Sequence, residues 1–129
     1  MKRCALFLIV AVLAGCSASP REKAVKRLRA SDVLALRREA AVLYKNLFAS
    51  ANPAVISLKV SACPESFRRF EPLNVSAYPD GFGLGLEQRA GVESGLYVVP
   101  VGMEIVPASK GRAHFEPLAE GIFWYSFEP

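Results

Sequence analysis

The periodicity of the apolar residues changes at Asn52-Pro53, and that change constrains the fold more than any other feature of the chain. Before it, "PREKAVKRLRASDVLALRREAAVLYKNLFASANP" is rich in Ala, Leu, Lys, Arg and Glu and carries no Gly and no internal Pro, a composition that favours helix. Val33, Leu36, Ala40, Leu43 and Leu47 recur in steps of three and four, and Leu34, Ala41, Tyr44 and Phe48 widen the stripe. Such spacing puts them on one helical face. The same phase carried backwards lands on Arg29 and Lys26, which cannot share an apolar core, so the buried face changes near Ser31. Ser31 suits an N-cap there, with Asp32 beside the positive end of the helix, and Asn52 before Pro53 closes the segment.

After Pro53 the period is two. Ala54, Ile56, Leu58, Val60 and Ala62 alternate with mostly polar residues until Cys63 and Pro64 interrupt them, the pattern of a half-buried strand. "ESFRRFEP" reads as a loop or single helical turn, and "YPDG" supplies the turn of a hairpin pairing residues 73 to 78 with 82 to 88. Further strands are expected at Gly95 to Val101, Met103 to Val106 and Ile122 to Phe127. These elements predict an α+β fold, with the N-terminal helical segment packed on an antiparallel sheet of about five strands.

The N-terminus carries a different message. Lys2 and Arg3 precede an apolar run of ten residues, Ala5 to Ala14. A helix crossing a bilayer core needs about 20, so the run reads as a secretory signal rather than an anchor. It ends in "LAGC", Leu13 to Cys16, with Ser17 following. Those four residues resemble the lipobox of bacterial lipoproteins. The resemblance implies a diacylglyceryl group on the Cys16 sulfur, cleavage just before Cys16, and acylation of the amino group so released. Each buried methylene contributes roughly 0.8 kcal/mol, so one acyl chain holds weakly and two or three hold almost permanently. In the enterobacterial pattern an Asp after the cysteine favours the inner membrane; Ser17 therefore favours the periplasmic side of the outer membrane where two membranes exist. The expected organisation is a signal peptide over 1–15, a lipidated cysteine and tether over 16–20, and one α+β domain over 21–129.

The net charge of +4 is unevenly placed. Residues 16–39 hold seven Lys or Arg against three acids, and residues 40–129 hold seven against nine. The basic character therefore belongs to an arm, not to a nucleic-acid face, and no nucleic-acid partner is expected. Arg21, Lys23, Lys26, Arg27 and Arg29 start five residues after Cys16 and are candidates for contact with an anionic membrane surface. Of the three cysteines, Cys4 would leave with the signal and Cys16 would be consumed by lipid, so Cys63 has no partner and is expected to be buried.

Chemistry-bearing motifs are sparse. The glycines of "DGFGLGLEQ" match neither a P-loop nor the dinucleotide-binding spacing, and Gly83 and Gly85 are better explained as space for aromatic neighbours on one strand face. His114 is the single histidine, no GxSxG nucleophile elbow is present, and the acids form no calcium loop. No catalytic residue, metal or cofactor is assigned. "GIFWYSF" places aromatics on both faces of one strand; if a binding face exists, Tyr97, Phe123, Tyr125 and Phe127 are its candidates. The expectation is a membrane-anchored envelope lipoprotein acting as a non-catalytic binding or scaffolding module, with the bilayer as one partner and an envelope protein or glycan as another. Two alternatives remain: a small lipid-tethered periplasmic enzyme with a cleft around His114 or Cys63, and an inhibitor inserting "RAGVESG" into an exported hydrolase.

Overall fold

A computed structural model describes residues 18–49, 55–105 and 113–128. The chain forms helices α1 (Pro20–Arg29), α2 (Val33–Leu47) and α3 (Glu65–Arg68) and strands β1 (Ile56–Leu58), β2 (Asn74–Tyr78), β3 (Gly81–Arg89), β4 (Val92–Val98), β5 (Ala113–Ala119) and β6 (Ile122–Phe127). The strands make one antiparallel sheet in the order β1-β2-β3-β4-β6-β5. The α+β architecture expected from the change of period is the one observed, with six described strands rather than about five.

The two long helices divide where the buried face was expected to shift. Ser19 caps α1 by accepting from the Glu22 amide, and Asp32, not Ser31, caps α2 by accepting from the Ala35 amide. Ser31 instead donates its hydroxyl back to the Arg27 carbonyl at 2.7 Å, closing the last turn of α1. Each helix lays a different stripe on the sheet: Ala24 and Leu28 from α1, Leu36 and Ala40 from α2. They meet Val75, Ala77, Phe82, Leu84, Leu96, Val98 and Ile122, alternate residues of β2, β3, β4 and β6, and Phe67 of α3 fills the same core. Leu34, assigned to the buried stripe by its spacing, is 46% exposed. Arg37 lies buried in its stead among the apolar residues of α2, where its Nε donates to the Val99 carbonyl at 2.9 Å.

Several strand expectations shift, and the strand expected at Gly95 to Val101 runs instead over Val92–Val98. The alternation over 54 to 62 yields a strand only at Ile56–Leu58; Val60–Ala62 coils into a 3-10 turn closed by the Cys63 amide on the Val60 carbonyl, and Ala54 lies outside the described residues. Met103 to Ile105 is not a strand, because Gly102 at positive φ and the Met103 amide bonded to the Pro100 carbonyl turn the chain there; Val106 lies outside the described residues. Strand β5 was not anticipated. It carries Pro117, which is tolerated because β5 borders the sheet and needs ladder bonds on one side only.

"RAGVESG" is not a projecting loop. Its residues belong to β3 and β4, joined by Ala90 and Gly91 alone, both at positive φ as a two-residue hairpin turn requires.

Candidate functional site

The sheet has a second face, turned away from the helices. Register places Ser76, Gly83, Tyr97 and Phe123 side by side across β2, β3, β4 and β6, with Tyr78 paired to Gly81 at one end and Gly85, Gly95, Tyr125 and Phe115 in the neighbouring row. Gly83 lies beneath the rings: a Cβ on it would stand 3.2 Å from the Tyr78 ring and 3.4 Å from the Tyr125 hydroxyl. The reading of these glycines as room for aromatics therefore holds for Gly83 but not for Gly85, where a Cβ would meet the side chains of Asn74 and Glu93 instead. Tyr97 is the hub, with ring centroids 6.0 Å from Tyr78, 5.1 Å from Phe115 and 6.2 Å from Tyr125.

This cluster was the proposed binding face, and it is mostly closed. Tyr97, Phe123 and Tyr125 are 4%, 8% and 5% exposed, whereas Phe127, at the strand end, is 45% exposed. Only Phe127 of the four offers substantial area to a partner. The tyrosine hydroxyls also face polar groups: Tyr97 donates to the Asp80 carboxylate, and Tyr125 stands close to Glu93. Burial, reinforced by the neighbouring carboxylates, pushes the Tyr97 and Tyr125 phenols far above their usual range. Both remain protonated donors at neutral pH. The arrangement sets the hydroxyls of Tyr97 and Tyr125 against the carboxylates of Asp80 and Glu93.

The two residues around which an enzyme reading would turn stand apart from this cluster. His114 is exposed on β5 opposite Ser126. Cys63 is buried beside an open groove of about 490 Å³ lined by Arg38, Val42, Leu43 and Pro64, and its Sγ donates to the Lys59 carbonyl at 3.3 Å. Burial pushes the thiol up, against the smaller opposing effect of Arg68, so it is not an activated thiolate. Among the described residues no group of three or more His, Cys, Asp or Glu could hold a metal ion.

The five basic residues of the arm separate into two sets. Arg21 reaches Glu116 on β5 at 2.5 Å, and Arg27 donates to the Phe70 carbonyl at 3.2 Å and lies 3.5 Å from Glu71. These two flank the buried Ala24 and Leu28 and hold α1 onto the domain. Lys23, Lys26 and Arg29 follow each other at intervals of three and have no ion-pair partner among the described residues. At about 100° per residue they fall on the side of α1 opposite its buried stripe. The sequence alone does not distinguish the five.

Cys16 and the apolar run before it lie outside the described residues. Among the described residues no helix is long and apolar enough to cross a membrane. Comparison with known proteins finds no matching family model, no similar curated protein and no similar solved structure.

Proposed function

We propose that this chain is a lipid-anchored protein of the bacterial cell envelope and that its domain is a non-catalytic binding or scaffolding module. The observation that carries the reading is the sequence order: positive residues, a short apolar run, "LAGC", and then a domain whose first helix is capped by Ser19, three residues past Cys16. Three extended residues span roughly 11 Å at most. Acyl chains on Cys16 would thus hold the domain directly on the bilayer surface, with no long linker between lipid and fold. The chemistry of the second sheet face supports the non-catalytic part, since its tyrosines and carboxylates are spent on one another. Phe127 at the end of β6 is the exposed aromatic that an envelope protein or glycan would meet.

The test is fractionation after metabolic labelling with a fatty acid. The wild-type chain should carry label and sediment with membranes. Cys16→Ala should lose the label and leave the membrane fraction, and acylation that survives this substitution would defeat the reading.

A further inference from the structure

The described charge is divided unevenly along the chain. Residues 18–49, which form α1 and α2, hold eight Lys or Arg against three acids; the remaining described residues hold four against nine. The α1–α2 segment is thus net positive, and the rest of the described residues together are net negative. The positive segment is also the one that leads back to Cys16.

Its outer surface has the chemistry of a bilayer contact. On α1 the outward line is Lys23, Lys26 and Arg29. On α2, which packs on the same sheet face, residues 38, 42 and 45 lie opposite the buried Leu36 and Ala40, giving an outward line of Arg38, Val42 and Lys45. All five cations lack an ion-pair partner among the described residues, and Val42 is 63% exposed between two of them. Nearby acids are few and partly occupied. Glu22 stands at the N-terminal end of the α1 line, Asp32 is turned to the Ala35 amide as a cap, and Glu39 accepts from the Ser66 hydroxyl. Long basic side chains around an apolar residue can lay their stems along the interface while their charges meet headgroup phosphates.

We infer that the outer surface of the α1–α2 layer docks on the headgroups of anionic phospholipids. The domain then lies with its helices on the membrane and its aromatic sheet face turned away from it. The inference rests on the anchoring reading, because the short stretch from Cys16 to Ser19 is what brings α1 within reach of the headgroups. Close to an anionic leaflet each basic residue strengthens attachment roughly fivefold. The contact weakens as salt shortens the Debye length, about 10 Å at 0.1 M.

The experiment uses the full chain reconstituted with vesicles of phosphatidylcholine alone or of phosphatidylcholine with phosphatidylglycerol. Flotation reports attachment, and the rate of amine labelling is read at each lysine by mass spectrometry. Flotation with both vesicles, with Lys23, Lys26 and Lys45 labelled about fivefold more slowly on the anionic ones and the difference erased by high salt, is the expected result. Equal labelling on the two vesicles would overturn the headgroup contact while leaving the lipid anchor standing. Flotation with the anionic vesicles alone would support the contact and count against the anchor, and flotation with neither would remove both. If inorganic phosphate added to neutral vesicles slowed the same lysines equally, the surface would be a general anion site and the inference would fall.

Discussion

Replacing Gly95 with alanine should unseat the centre of the sheet. Gly95 is paired with Gly85 on β3 and with Tyr125 on β6, next to the point where the β3–β4 register shifts between Gly85 and Glu87. A Cβ there would fall well inside contact distance of the Leu84 carbonyl oxygen, and would lie 2.8 Å from the Leu84 carbonyl carbon and 3.0 Å from the Leu86 nitrogen. All three are backbone atoms of the neighbouring strand, so no side chain can swing aside to make room. Overpacking a well-filled site costs about 1–3 kcal/mol, and an obstruction that only strand separation can relieve belongs at or beyond the upper end. We expect a loss of about 3 kcal/mol or more, a large share of the roughly 5–15 kcal/mol that holds a domain together. For a domain near a hundred residues this lowers the melting temperature by at least about 12 °C. The reference is Gly91→Ala in the open β3–β4 turn, where a Cβ meets nothing within 4 Å and the positive φ alone costs about 1 kcal/mol. Urea and thermal unfolding followed by circular dichroism compare the two. A Gly95→Ala variant no less stable than Gly91→Ala would refute the close approach and the register from which it follows.

Arg37→Met keeps most of the apolar stem but removes the Nε bond to the Val99 carbonyl, leaving a buried acceptor unpaired, and should cost about 2 kcal/mol in urea unfolding; an unchanged midpoint would show that the carbonyl has another donor. The buried tyrosines predict loss of stability in alkali. With the folded-state pKa values of Tyr97 and Tyr125 raised above the ordinary value of 10.0, the unfolded chain releases those protons first. Stability should therefore be level below that pH and fall as pH climbs beyond it. Tyr97→Phe and Tyr125→Phe should each flatten the fall, as read by urea unfolding across the alkaline range alongside phenolate absorbance; tyrosines that all ionise normally in the folded protein would contradict the burial.

Residue spacing carried the broad architecture because each layer repeats with its own period. The α2 stripe, Leu34 apart, and the strands β2 and β6 rest on local patterns, and they appear where the sequence put them. What spacing could not reveal depends on contacts between distant residues. Arg37 reads as a surface cation until Val99, 62 residues away, offers its carbonyl. Strand β5 was hidden by Pro117, which looks like a breaker unless the strand is known to border the sheet. The aromatics of β6 were correctly placed on both faces, yet their burial arises from mutual packing with Tyr78, Tyr97 and Phe115, which no single strand encodes. The division of the basic arm was hidden in the same way, because Glu116 and Phe70 select Arg21 and Arg27 only once the chain has folded.

The most direct measurement is the mass of the N-terminal peptide of the protein taken from membranes of cells that express the full chain. If acyl chains fasten this domain to the envelope, that peptide begins at Cys16 and carries the added mass of a diacylglyceryl group on its sulfur. A peptide that begins at Met1, or one that begins at Cys16 with an unmodified thiol, would contradict it.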